Sequence, residues 1–277
     1  MAPSRLTTED RYPNTATPLG SDLYYAIRYA PPDTRDDLAL LAAVYARLFQ
    51  IPAECSEPAV ALRKAGWWRD ELERSVTGGR SEHPLGESLA RLFERRLLPP
   101  HPLFDMADAI IAEIRRSPFT DTAGLIAHWE QGQGALCELF THILSPAPPD
   151  TLVCKARRLG GLIGMATAIQ DMGAHLRAGR CLLPKDLMAA YGVQCAIGIE
   201  PESATALMSR LADAARSHGA LSATPTNRRL LPVLIQAQLA ETLLGEMEKA
   251  GFPVIGQRVA LTPLYKLWLS WRLYRTL

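Results

Sequence analysis

From Pro31 to the last residue, apolar side chains return at three- and four-residue intervals, and β-branched or aromatic residues rarely alternate with polar ones. That period gathers apolar side chains on one face of a helix, whereas a half-buried strand needs strict alternation. An all-α fold is predicted. Pro31-Pro32-Asp33 opens the first long helix, with Asp33 as the expected N-cap and Asp36 and Asp37 in the first turn, where negative charge complements the dipole. Leu38, Leu41, Ala42, Tyr45 and Phe49 share its buried face, and Pro52 ends it. A second helix opens at Pro58 and runs to Gly78-Gly79. Its Trp67 and Trp68 are expected in the core, with Arg69, Asp70 and Glu71 capping or decorating the helix. Further helices are predicted from about Pro84 to Leu97, Pro102 to Arg116, Asp121 to Leu144, Asp150 to Leu176, Glu202 to His218, Leu230 to Ala250, and from Pro263 to the end.

The breaks at Pro99-Pro100, Ser145 to Pro149 and Ser222 to Asn227 are short and rich in Pro, Ser or Thr, as loops are. No internal repeat is visible. Residues 21–277 are therefore expected to form one helical domain, preceded by a flexible segment over 1–20.

Charge and composition exclude several classes. With 48% hydrophobic residues and 30 basic against 29 acidic side chains, the chain is neither disordered nor built to bind nucleic acid. Its five cysteines form no CxxC pair or zinc knuckle and read as core thiols of a cytoplasmic protein. Met1 to Gly20 lacks the unbroken apolar stretch of a signal peptide, and nowhere do about 18 apolar residues run together as a membrane span requires. Peripheral contact with a membrane surface stays compatible with all of this.

Arg157 to Val193 is the most informative stretch. Ala156, Gly160, Gly164 and Ala168 recur every fourth residue, a bare stripe that lets something approach the backbone. Either a neighbouring helix or a cavity suits it. Asp171 and His175 follow one turn apart, then Arg177 and Arg180. A carboxylate with guanidiniums suits a magnesium-bridged phosphate, and equally a surface ion pair.

In this stretch Thr167-Ala168-Ile169-Gln170-Asp171-Met172-Gly173-Ala174-His175, then Gly179-Arg180-Cys181-Leu182-Leu183-Pro184, resembles the second aspartate-rich region of the squalene and phytoene synthase family. Tyr24-Tyr25 with Arg28, the run from Trp67 to Leu72, and His83-Pro84 with Leu89 agree in order, so the resemblance spans about Ser21 to Val193. It implies an isoprenoid-synthase-type helical bundle around a central apolar cavity, and a prenyl diphosphate or isoprenoid lipid as the bound molecule. It further implies Tyr24, Arg28, Asp171, His175 and Arg180 at the diphosphate, and Gly160, Gly164, Thr167 and Ala168 lining the cavity. The family joins two allylic diphosphates head to head on Mg²⁺ held between two aspartate-rich motifs. Here the first motif falls on Phe49-Gln50-Ile51-Pro52-Ala53 with only Glu54 beside it, and in the second Ala174-His175 replace an acidic pair. Asp171 and Glu54 are the remaining candidate metal ligands, against the several hard oxygens that magnesium requires. The resemblance thus implies a nominal prenyl-diphosphate transferase impaired in Mg²⁺-dependent condensation. The alternative is a non-catalytic lipid-binding protein, akin to family branches that lack these motifs and serve respiratory-complex assembly.

The segment Pro263 to Leu277 interleaves Leu264, Leu267, Trp268, Trp271 and Tyr274 with Lys266, Arg272 and Arg275. It reads as an interfacial anchor or as a core-packed helix with a solvated basic face. His83, His101, His128, His142 and His218 are scattered without nucleophile or ligand spacing, and are read as structural or exposed.

Overall fold

Eight consecutive side chains, Leu159 to Ala166, are buried in the middle of one helix, which can happen only where neighbours cover every face. That helix is the axis of the molecule. The computed structural model describes residues 11–116, 119–194, 201–220, 228–253 and 256–277. Among them the chain forms α1 (Asp22–Arg28), α2 (Arg35–Phe49), α3 (Ile51–Glu54), α4 (Pro58–Val76), α5 (Pro84–Arg96), α6 (His101–Arg116) and α7 (Thr122–Trp129), then α8 (Ala135–Leu144), α9 (Asp150–Gln170) and α10 (Met172–Arg177). α11 (Lys185–Ala190), α12 (Pro201–His218), α13 (Leu231–Lys249) and α14 (Pro263–Thr276) complete it, with no strand among the described residues. α9 is the axis, packed by α7, α8, α12 and α13. The α4, α5 and α6 helices form a second layer bridged to it by α2 and α8, and α1 lies across α13 and α14. The all-α prediction holds.

The glycine stripe is taken up by the protein itself, backbone at Gly160 and a tryptophan ring at Gly164. Between α7 and α8 the chain makes a π-helical turn, Glu130–Gly134, whose Gly134 meets Gly160 of α9. A Cβ on Gly160 would lie 2.4 Å from the Gly134 Cα, and one on Gly134 would lie 2.7 Å from the Arg157 carbonyl oxygen. A Cβ on Gly164 would fall on the Trp129 ring at 2.6 Å. Ala156 and Ala168 are also buried.

Several local features differ from the sequence reading, each for a physical reason. Asp33 lies inside a 3-10 turn, Pro32–Thr34, and α2 starts one residue later without a side-chain cap. Pro52 does not simply stop a helix; in the first turn of α3 its missing N–H costs nothing. α1 was not foreseen and is capped by Ser21, whose side chain accepts from the Tyr24 N–H. The helix predicted to run on from Asp150 breaks at Asp171, which ends α9 and precedes α10. Tyr12 and Asn14 are tied to α2, the Tyr12 N–H donating to Asp36 and the Asn14 side chain to the Ala39 carbonyl. Residues 1–10 and Cys195 lie outside the described residues.

Two charged or polar expectations are corrected. Cys55, Cys137 and Cys154 are free, but Cys181 is disulfide-bonded, so the five are not all core thiols. Spacing rules detect CxxC pairs and metal knuckles, not other pairings. Glu71, read as a decoration of its helix, is fully buried and organises the loop before α5. It accepts from the Ser81 hydroxyl and from the Glu82 and His83 N–H groups, each 2.9 Å away, and from Arg74 at 2.7 Å. Burial alone would raise its pKa, but these donors hold it below the ordinary carboxylate range.

Candidate diphosphate and isoprenoid site

The residues singled out in the sequence gather in three places. At the α9–α10 junction Asp171 is paired to Arg258, whose Nε donates to Oδ1 at 2.7 Å. The same guanidinium donates through Nη2 to Gln170 Oε1 at 2.9 Å, and the Gln170 amide donates to the Val259 carbonyl at 2.6 Å. The segment before α14 is thereby clamped across the end of α9. Beside it opens a cleft of 270 Å³ lined by Ser21, Asp22, Thr167, Gln170, Arg258 and Lys266. Lys266 Nζ stands 2.7 Å from Asp22 Oδ1 and also donates to the Gly20 carbonyl. The cleft wall holds two cations, Arg258 and Lys266, and one carboxylate, Asp22; Lys266 faces Asp22, and Arg258 faces Asp171 beside the cleft. Thr167 lies at its wall, and its hydroxyl donates back to the Ile163 carbonyl.

The half-buried His175 and Arg180 belong to a second cluster around the buried Glu113 and His128. Arg180 forms an ion pair with Glu113 of α6, and the other Glu113 oxygen lies 3.1 Å from His128 Nε2 of α7, off the line of a hydrogen bond. Burial pushes the Glu113 carboxyl up, but His128 and Arg180 outweigh it and bring its pKa down to about 2. Burial, then the positive Arg180, lowers the pKa of His175. His128 is a structural histidine, as the sequence allowed: its buried ring packs against Phe49, Phe119 and Trp129.

Tyr24 and Arg28 stand in the third place, on α1. Arg28 donates to the Tyr24 hydroxyl at 3.1 Å, and Tyr12 stacks on Tyr24. Arg28 borders a separate cleft of 560 Å³.

The first aspartate-rich position is occupied by apolar packing. The Phe49 ring stacks on Tyr45 at 4.1 Å between centroids, and its Cζ comes so close to Gly132 that a Cβ there would lie 2.4 Å away. Ile51 is fully buried. Glu54 points to the surface and pairs with Lys64. Among the described residues no group of three or more carboxylate, imidazole or thiol side chains converges as a metal ion requires. The donors present do not fit a Mg²⁺ cluster.

Sequence reading missed Arg258, Gln170 and Glu113. Arg258 sits in an aperiodic loop with no motif to mark it. Glu113 did carry a signal: it continues the buried stripe Leu103, Met106, Ile110, and a carboxylate on that face must have partners.

The squalene/phytoene synthase family model matches residues 17–265. The chain belongs to the squalene/phytoene synthase family. A bifunctional protein CrtB/UppS of Streptomyces coelicolor is 28% identical over 177 residues, 62% of this chain, and the chain spans only 30% of that relative's length. Among solved structures, a dehydrosqualene synthase in complex with ligand superposes with a TM-score of 0.77 at 16% identity, covering 92% of this chain and 91% of the other. Squalene synthase HpnC from Alicyclobacillus acidocaldarius gives 0.67 at 15% identity over 86% and 92% of the two chains. YisP from Bacillus subtilis gives 0.60 at 15% identity over 90% and 89%. At such identities the family member shares their fold, and chemistry has to be argued from its own side chains. No helix among the described residues is long and apolar enough to cross a membrane.

Proposed function

We propose that this family member binds a prenyl diphosphate or an isoprenoid tail without carrying out Mg²⁺-dependent head-to-head condensation. The observation that carries the reading is the state of Asp171. It is the acidic residue left in the second motif, and its charge is already taken by Arg258 at 2.7 Å. Expelling diphosphate from an allylic carbon needs positive charge concentrated on the leaving oxygens as the bond breaks, which metals held by several carboxylates supply in this family. Here the carboxylate in the cleft wall, Asp22, faces Lys266, and the first motif is a packed Phe49 and a buried Ile51.

Arg258 and Lys266 can receive diphosphate oxygens directly, in exchange for the carboxylates they now face. Such a site binds the anion and leaves the carbon–oxygen bond intact. A non-catalytic lipid-binding or assembly role on this fold follows from the same reading.

The test is calorimetric titration of a non-hydrolysable farnesyl diphosphate analogue with and without Mg²⁺, followed by product analysis with farnesyl and geranylgeranyl diphosphate. Binding of equal strength in both titrations, with no coupled hydrocarbon, is expected. Binding that needs Mg²⁺, or any coupled C30 or C40 product, would overturn the proposal.

A further inference from the structure

Of the eight large hydrophobic side chains exposed among the described residues, five lie on α14: Leu264, Tyr265, Leu267, Trp268 and Trp271. A sixth, Leu19, adjoins Gly20, which lies against Pro263 in the first turn of α14. At the helical rotation per residue, Leu264, Trp268, Trp271 and Arg275 fall within an arc of about 60°, facing away from the inward Leu269 and Ser270. The indoles of Trp268 and Trp271 are 45% and 50% exposed, so the apolar stripe of this helix is turned to the outside.

The charges on that face have one sign. Residues 263–277 contain three basic and no acidic residues. Lys266 is turned inward onto Asp22, whereas Arg272 lies over the Trp268 ring at 4.8 Å and Arg275 over the Trp271 ring at 5.9 Å. Neither guanidinium has a carboxylate partner among the described residues. The 560 Å³ cleft adjoins the end of the same helix through Tyr274 and is lined by Arg28, Arg35, Arg228 and Arg229, with no acidic residue in its wall. Arg228 sits over the Tyr274 ring. Indoles beside guanidiniums match the boundary between acyl chains and anionic headgroups. A second copy of the chain fits poorly, because a two-fold pairing of this face would set arginine against arginine. No helix among the described residues is long and apolar enough to cross a bilayer, so this face suits lying on one.

We propose that α14 seats this protein on a membrane surface rich in anionic phospholipid, with Leu264, Trp268 and Trp271 at the acyl boundary and Arg272 and Arg275 at the lipid phosphates. This does not depend on the reading of the Asp171 site.

The experiment is binding of the full chain to phosphatidylcholine vesicles with and without phosphatidylglycerol, followed by sedimentation and by quenching of tryptophan emission with brominated phospholipid. The anionic vesicles should bind at least about 10-fold more tightly, and the preference should shrink as salt rises. The W268S/W271S variant should lose about 10-fold or more on anionic vesicles with its thermal midpoint unchanged, and R272Q/R275Q should lose most of the anionic preference. Three outcomes would overturn the proposal: no binding to either vesicle, undiminished binding by W268S/W271S, or a dimer that W268S/W271S abolishes. Should that variant fail to fold, absence of brominated-lipid quenching in the unaltered chain would overturn it equally.

Discussion

Arg258 Nε lies 2.7 Å from Asp171 Oδ1, so the carboxylate that most resembles a metal ligand of this family is held by a cation of the chain itself. The pair is partly solvated, with the Arg258 side chain 60% exposed, and an ion pair so placed contributes little to stability, about 0–1 kcal/mol. Its consequence is for ligand binding. An anion entering the cleft competes with Asp171 for Arg258, while a metal ion competes with Arg258 for Asp171.

These two competitions separate by mutation. Asp171→Asn removes the competitor of an incoming diphosphate, and is expected to leave metal-free affinity unchanged or raise it by about 2- to 5-fold, the range of a partly exposed ion pair. Arg258→Ala and Lys266→Ala should each weaken it by about 10-fold, or ~1.4 kcal/mol. Calorimetry with the farnesyl diphosphate analogue reads all three. A loss of affinity in Asp171→Asn confined to Mg²⁺-containing buffer would show a working metal ligand and defeat this expectation.

Glu113 makes the fold sensitive to acid. Its pKa falls from 4.5 to about 2 on folding, because His128 and Arg180 outweigh the cost of burial. A depressed carboxylate stabilises the native state fully above the unfolded value and loses that contribution as pH falls toward the folded one. The window therefore runs from about pH 5 down to about 2, and the contribution at neutral pH is about 3 kcal/mol. His175 acts in the same direction from a higher pH. Its lowered pKa means that the unfolded chain takes up a proton first as pH drops below about 6.5, which costs stability. Glu113→Gln, which strands Arg180 and His128, is expected to cost about 3–5 kcal/mol at pH 7 and to flatten the acid limb. Urea midpoints measured from pH 7 to pH 3 test this, and an equally steep acid limb in the variant would count against it.

Glu71 should behave as the clamp of a loop. Its oxygens take up the Ser81 hydroxyl and the amides of Glu82 and His83, and His83 in turn caps α5 by accepting from the Leu85 N–H at 3.1 Å. In Glu71→Gln an amide group replaces one acceptor among donors, at an expected cost of about 2–4 kcal/mol. Hydrogen exchange locates the effect: the Glu82 and His83 amides should lose protection before the core of α9 does. Protection lost evenly across the molecule would mean that Glu71 is merely one more buried group.

The contrast between Phe49 and Arg258 shows what the sequence could convey. Phe49 follows Leu38, Leu41, Ala42 and Tyr45 on one helical face, so its place in α2 was readable from period alone. The same pattern gave the long helices, because burial of one stripe dictates both period and fold. Arg258 answers to no period: it reaches Asp171 across 87 residues of chain from a loop, and only the packing of α9 against α13 and α14 brings the two together. The break at Asp171 was hidden for a related reason, since no proline or glycine marks that residue itself. Gly160 lies between these cases. Its spacing announced a close approach, and the residue approaching, Gly134, lay in a π-turn that an uninterrupted helix from Asp121 to Leu144 concealed.

That contact gives the sharpest test of what the glycine stripe does. At Gly160 an added methyl meets backbone on the far side, the Gly134 Cα at 2.4 Å and N at 2.6 Å, so relief requires moving the π-turn away from α9. At Gly164 it meets the Trp129 ring, a side chain that is itself buried and has Phe49 behind it. Overpacking of a tight core typically costs about 1–3 kcal/mol. Gly160→Ala should reach or exceed the upper end, since backbone yields less than a ring, and Gly164→Ala should fall within the range. The intrinsic helical gain of alanine over glycine, about 1 kcal/mol, opposes both and sets the outcome for an open stripe. Denaturation midpoints of the two variants decide the matter. If Gly160→Ala were stabilising, the stripe would face open space and a cavity along α9 would have to be sought there. If both destabilise in the order given, the small residues exist to let α9 and the π-turn touch.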